Sequence, residues 1–199
     1  MEFDIKGNGL DNQEQQLQDQ TLMLAYAQGD AGAFEQLYAK HKQAVFRFFI
    51  RQNLSNAVAE ELCHDTWLKL INNRESYQAT ALFSTFLFTI ARRLAIDYSQ
   101  KKSTKLEKQQ DNSEDQYDVA PQGNIEQADA TDNQTLANAL KQQIAALPFA
   151  QREVFLLKQE GGFSLEDIAK ITSQNKEKVK SSWRYALQKM RKGLSFYDK

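Results

Sequence analysis

Cysteine is nearly absent from this 199-residue chain. Cys63 stands alone, which excludes an internal disulfide and fits a reducing compartment. Histidine is limited to His41 and His64, so no usual zinc set of Cys and His can be assembled. Cys63 and His64 are neighbours, yet adjacent residues on a helix diverge by about 100° and make a poor nucleophile–base pair. No glycine-rich loop that would cradle a phosphate is present. No catalytic residue, metal ligand or cofactor is therefore expected. Two prolines and eight glycines exclude a collagen-like or low-complexity chain and argue against a turn-dense β-sandwich. No apolar run approaches the ~18–20 residues of a membrane-spanning helix, so no membrane insertion is expected. The opening Met1-Glu2-Phe3-Asp4-Ile5-Lys6-Gly7 has neither a basic start nor an apolar core, so no secretory leader is expected. An excess of one charge is missing too: 25 bases stand against 26 acids. These absences leave an all-α, cytoplasmic protein as the expectation.

The near-neutral total hides a partition. Residues 107–135 hold eight acids and the single base Lys108, a net of −7. Residues 84–105 are net +4 and residues 170–199 net +7. Basic blocks suit polyanion contacts, although a solvated helix face produces the same pattern. The run Gln109 to Gln116 has no apolar residue, and Pro121 and Gly123 follow. Such a segment has too little apolar surface to offset its ordering entropy. Residues 104–133 accordingly read as an acidic flexible linker, with residues 1–18 as a tail. The flanks, 19–103 and 134–195, read as two small helical domains.

In the first domain Asp19 is positioned to cap a short helix through Leu22, Leu24 and Tyr26 that stops at Gly29. Asp30 caps a longer helix carrying Phe34, Leu37, Tyr38, His41, Val45, Phe48 and Phe49 at helical spacing. A third helix spans about Ser55 to Ile71, with Val58, Leu62, Thr66 and Leu70 on one side. A fourth runs from Ser84 to about Lys102, stacking Phe86, Leu87, Ile90, Leu94 and Tyr98. Its other side holds Arg93, Asp97 and Lys101, spaced for i,i+4 ion pairs.

In the second domain Leu136, Leu140, Ile144 and Leu147 mark a helix ending at Pro148, and 149–160 form another closed by Gly161-Gly162. Ser164 can cap Leu165–Ile171, with Asp167 where a capping box places its acid. After the tight turn Thr172-Ser173-Gln174 a longer helix starts near Asn175, the cadence of a helix-turn-helix. Val179, Trp183, Leu187, Met190 and Leu194 give that helix a packed side. Asn175, Lys176, Lys178, Lys180, Ser181 and Arg184 crowd the other faces of its first half, where a recognition helix meets base edges and phosphates.

Together these stretches resemble the sigma-70 family of bacterial RNA polymerase sigma factors, in its small extracytoplasmic-function (ECF) type. Gly29-Asp30-Ala31-Gly32-Ala33-Phe34-Glu35-Gln36-Leu37-Tyr38 is similar to the opening of the family's first conserved domain. Ala59-Glu60-Glu61-Leu62-Cys63-His64-Asp65-Thr66-Trp67-Leu68-Lys69-Leu70 resembles the helix that docks on the polymerase clamp. Phe86 to Tyr98 resembles the helix that reads and melts the −10 element, and Ser164 to Ala169 with Val179-Lys180-Ser181 resembles the −35 helix-turn-helix. The resemblance implies polymerase contacts at Glu61, Leu62, His64, Asp65 and Trp67. It implies −10 contacts at Arg92, Arg93, Asp97, Lys101 and Lys102, and −35 contacts at Asn175, Lys176, Lys178, Lys180, Ser181 and Arg184. The implied partners are core RNA polymerase and promoter DNA, with an anti-sigma factor as a further candidate. The linker would thread toward the polymerase's RNA-exit path. His64 and Arg93 depart from the Gln and Asn common in the family. The rival reading is a stand-alone helix-turn-helix regulator that acts without polymerase.

Overall fold

The structure, a computed structural model, describes residues 9–79, 82–110 and 132–194. Among these there is no strand. Four helices build an N-terminal bundle: α1 (Gly9–Ala27), α2 (Ala31–Ile50), α3 (Asn56–Asn72) and α4 (Phe83–Gln110), with a single 3-10 turn at Arg74–Ser76. Four more build a C-terminal bundle: α5 (Asp132–Ala145), α6 (Phe149–Glu160), α7 (Leu165–Thr172) and α8 (Lys176–Leu194).

The helix starts follow local chemistry. Asp30 opens α2 by accepting the Ala33 N–H on Oδ1 at 3.2 Å. Ser55 opens α3 by accepting the Val58 N–H on Oγ at 3.4 Å. Each side-chain cap satisfies one backbone donor that the first turn leaves without a partner. Gly29, with φ of +104°, turns the chain sharply between α1 and α2, a conformation that glycine adopts without steric cost.

Two expectations are corrected. Asp19 is no cap: α1 begins ten residues earlier, at Gly9, and Asp19 lies within it, buried. Its carboxylate takes Lys40 Nζ at 2.6 Å and His41 Nε2 at 2.8 Å, both from α2. Burial alone would raise its pKa, but the hydrogen bonds and charges of His41 and Lys40 outweigh that and hold the carboxyl below the usual range. Second, α4 continues to Gln110, through the first residues expected to be linker. Lys105-Leu106-Glu107-Lys108-Gln109-Gln110 are good helix formers without Gly or Pro, so the local propensity carries the helix on. Of the rest of the expected linker, 111–131 lie outside the described residues and 132–133 open α5.

The N-terminal core is aromatic, with Phe48, Phe49, Trp67, Phe83 and Phe88 buried around Leu37, Leu70 and Leu87. The C-terminal core is aliphatic and gathers Ile144, Leu156, Leu157, Ile168, Val179 and Met190. The two are continuous. Phe88 of α4 meets Phe163, from the α6–α7 connection, edge to face at 5.0 Å between ring centroids, while its ring also touches Phe48 at 5.6 Å. A fully buried Phe contributes about 1.5–3 kcal/mol, so this contact is a substantial bond between the bundles. The Gly161-Gly162 pair makes it possible. A Cβ on Gly161 would lie 2.1 Å from the Phe163 ring and 2.9 Å from the Leu157 carbonyl oxygen. Gly162 takes a positive φ of 64°. Lys158 Nζ donates to the Phe163 carbonyl at 2.9 Å and steadies the same turn.

Candidate nucleic-acid interface

The helix-turn-helix assembles as the sequence suggests. Ser164 accepts the Asp167 N–H at 3.1 Å and donates its hydroxyl to the Asp167 carboxylate at 2.5 Å, so the acid stands at the capping-box position but bonds the Ser164 hydroxyl in place of its backbone N–H. Ile168 and Ile171 anchor α7 in the core. The turn is made by Ser173, whose φ of 54° and ψ of 36° place a non-glycine residue in the left-handed region. Beyond it, α8 buries Val179, Ala186 and Met190, and Trp183 stacks on Phe155 at 5.8 Å.

Among the residues expected to face DNA from this helix, Lys178, Lys180 and Arg184 are exposed and Ser181 is half-buried. Asn175 and Lys176 are exposed but already have work within the fold. Asn175 Oδ1 caps α8 by accepting the Lys178 N–H at 2.8 Å, so that oxygen is engaged before any base approaches. Lys176 pairs with Glu166 of α7; their hydrogen bond and charges hold the lysine pKa up and the glutamate pKa down. Tyr185, 52% exposed, lies one residue beyond Arg184 on the same helix.

On α4 the five candidate residues divide. Arg93, Asp97 and Lys101 are exposed, and among the described residues the three make no ion pair with one another, so the expected i,i+4 ladder does not close. Lys102 lies on α4, but its side chain is outside the described residues. Arg92 turns the other way. Its Nε donates to Glu153 Oε1 on α6 at 2.7 Å, with both side chains largely removed from solvent. Burial pushes the Glu153 pKa up, and the charge and hydrogen bond of Arg92 offset this only in part. A second set of cations crosses the same seam. Arg47 Nε reaches Glu160 Oε2 at 2.7 Å, and Arg51 binds the other oxygen of that carboxylate. The sequence singled out none of Arg47, Arg51, Glu153 or Glu160. Their partners lie 61 to 113 residues away in the chain, beyond the reach of any periodicity.

The α3 segment also divides. Glu61 and His64 are exposed and Asp65 is half-buried, so all three can meet a partner. Leu62 and Trp67 face the core instead. Trp67 is held edge-on by Phe34 at 5.9 Å and Tyr38 at 5.0 Å, and so shapes the helix surface from beneath. Leu68 takes the outward place: it is 41% exposed and follows Glu61 by seven residues, on the stripe of His64 and Asp65. Burial pushes the Cys63 thiol up, so this cysteine is not an activated nucleophile. Among the described residues no group of three His, Cys, Asp or Glu side chains could hold a metal ion, and no helix is long and apolar enough to cross a membrane.

Comparison with known proteins matches both bundles. Residues 37–104 fit the family model described as Sigma-70 region 2, and residues 137–190 fit the one described as Sigma-70, region 4. The RNA polymerase sigma factor YlaC of Bacillus subtilis is 22% identical over 82% of this chain and 92% of its own length. The ECF RNA polymerase sigma factor SigX of the same organism is 24% identical over 81% of this chain and 83% of its own. Among solved structures, the sigma factor RpoE of Bartonella quintana, in complex with the anti-sigma factor NepR, superposes with a TM-score of 0.66. At 24% identity it covers 83% of this chain and 98% of that one, a likeness of fold.

Proposed function

The chain belongs to the sigma-70 family, in its extracytoplasmic-function branch, and from that premise we propose how its surfaces share the work of promoter recognition. It is a sigma factor, directing RNA polymerase to promoters, and the stand-alone regulator is not favoured. Sigma factors are initiation factors, generally without catalysis of their own, and this chain acts by binding alone, in the cytoplasm with its polymerase. We assign 19–103 to core polymerase and the −10 element, 134–195 to the −35 element, and the acidic stretch between to a connection.

On α3, Glu61, His64 and Asp65 meet core polymerase, with Leu68 as their apolar neighbour; Leu62 and Trp67 set the shape of that face. On α4, Arg93 and Lys101 track the displaced strand while nearby aromatics hold unstacked bases, each worth about 1–3 kcal/mol. On α8, Lys178, Lys180, Ser181 and Arg184 grip the upstream duplex, and Asn175 and Lys176 set the position of the helix start. An anti-sigma factor is proposed as a further partner, supported by the solved relative that carries one.

The observation that carries this division is the placement of the exposed cations. Arg93 and Lys101 lie on a helix of one bundle, Lys178, Lys180 and Arg184 on a helix of the other, and each set falls within its own family-model match. The test is reconstitution. Added to core polymerase, the protein should support transcription from a cognate promoter and make −10 thymines reactive to permanganate. Arg93→Glu with Lys101→Glu should suppress that reactivity while sparing upstream binding. Tight binding to cognate DNA without polymerase, and no opening with it, would overturn the reading.

A further inference from the structure

Asp97 is the one acid between residues 84 and 105, a stretch that holds five bases. It is exposed on α4, four residues after Arg93 and four before Lys101, and among the described residues it pairs with neither. A carboxylate on a surface that meets a polyanion is repelled by each phosphate that approaches it. Such a group is tolerated where N–H donors satisfy it, and in a nucleic acid those donors are on the bases. Arg93 brings the complementary chemistry, a planar fork of N–H donors, about 5–6 Å away between Cβ atoms. It too is exposed and in no ion pair. Arg92, next to it in the chain, is engaged: its Nε donates to Glu153 at 2.7 Å. The open side of α4 therefore presents one fork of donors and one pair of acceptors, side by side.

Guanine alone among the four bases carries two adjacent acceptors, N7 and O6, beside two adjacent donors, N1–H and the N2 amino group. Adenine and cytosine offer a carboxylate a single amino group and thymine a single N–H, so one carboxylate oxygen stays unmatched on each. We propose that Arg93 and Asp97 together select one unpaired guanine of the displaced promoter strand, Arg93 donating to N7 and O6 and Asp97 accepting from N1–H and N2–H. The inference rests on the proposed function, which assigns α4 to that strand, and goes beyond it by naming the base and the residue at each edge. In a duplex the N1–H and N2–H edge is taken by cytosine. The pair therefore acts only after strand separation, and it favours the opened state of promoters that carry this guanine. The same carboxylate repels a strand that offers it no matching donors, so Asp97 supplies rejection as well as recognition.

The experiment uses holoenzyme reconstituted from the full chain and core polymerase. Promoters randomised across the −10 region and recovered as open complexes should carry guanine in the displaced strand at one fixed position. On a pre-opened promoter bubble, any other base at that position should weaken binding by about fivefold or more, the lower end of what a bidentate pair discriminates. Two analogues separate the edges without touching the protein: 7-deazaguanine lacks N7, and hypoxanthine lacks the N2 amino group. The parent holoenzyme should bind both more weakly than guanine. Arg93→Ala should bind guanine and 7-deazaguanine alike while still discriminating against hypoxanthine. Asp97→Ala should bind guanine and hypoxanthine alike, and should gain affinity for the other three bases because the repelling carboxylate is gone. Each ratio is taken within one variant, so a uniform effect of the lost charge cancels. If promoters open but select no guanine, or if either analogue effect survives the variant that should erase it, the pair does not read guanine. Arg93 then tracks phosphates alone, and the sigma-factor assignment stands. If the parent holoenzyme opens no promoter, the proposed function fails and this inference falls with it.

Discussion

Replacing Ser164 by Ala tests how the helix-turn-helix is held. The change removes the acceptor of the Asp167 N–H and the donor to the Asp167 carboxylate. Ser164 is exposed and Asp167 half-buried, so water can replace both bonds, and the loss is about 1 kcal/mol within the 0.5–2 kcal/mol range of such caps. The eight-residue α7 is too short to be helical by itself, but Ile168 and Ile171 keep it docked, so the result is a lower midpoint and not an unfolded helix. A loss of 1 kcal/mol lowers Tm by roughly 2–4 °C if the chain melts as one unit, and by about 4–8 °C if the C-terminal bundle melts alone. The two tryptophans separate these cases, because Trp67 lies in one bundle and Trp183 in the other. In a Trp67→Phe background, Trp183 fluorescence follows the C-terminal bundle while circular dichroism follows all helices. Ser164→Asp, which keeps the acceptor, should hold its midpoint near that of the parent. If Ala and Asp variants melt alike, or Ala melts with its parent, the cap does not hold α7 and the reasoning fails.

Three further outcomes are expected. Asp19→Asn should cost roughly 2 kcal/mol at neutral pH, moderated because Lys40 remains a third exposed; the folded Asp19 pKa is lowered, so the advantage of the parent over the variant should be complete above the usual aspartate value of about 4 and vanish as pH falls through the folded value. A gap that ignores acid in paired urea titrations would remove that assignment. Gly161→Ala should displace the Phe163 ring and destabilise by about 1–3 kcal/mol, and a neutral effect in the same titrations would mean that the ring has room to yield. Lys180→Ala with Arg184→Ala, assayed in holoenzyme on a −35 duplex, should weaken binding and flatten the salt dependence by up to about 1.8 if both hold phosphates; an affinity and a slope that both stay put would mean α8 is not the reading helix.

What the sequence by itself determined is local. The caps of Asp30 and Ser164 were legible because each is an exchange between a side chain and a backbone N–H three residues on. The stop at Gly161-Gly162, the helix-turn-helix cadence and the apolar stripes were legible for the same reason, since helix periodicity reports burial within a few turns. Reading failed where local signals were faint. The polar start of α1 has only Leu10 and Leu17 to announce it, and the charged end of α4 carries helix propensity without an apolar stripe in its sequence. Asp19 looked like a cap because a lone acid before an apolar run is the usual sign of one, whereas its partners are Lys40 and His41 on the next helix. Only the tertiary structure decided which way each candidate residue points. It turned Leu62 and Trp67 inward, left Leu68 outside, and paired Arg92 with Glu153 and Arg47 and Arg51 with Glu160. Those choices depend on how two bundles far apart in the chain come together, and a carboxylate that finds its arginine across such a seam leaves no trace in the spacing of the residues around it.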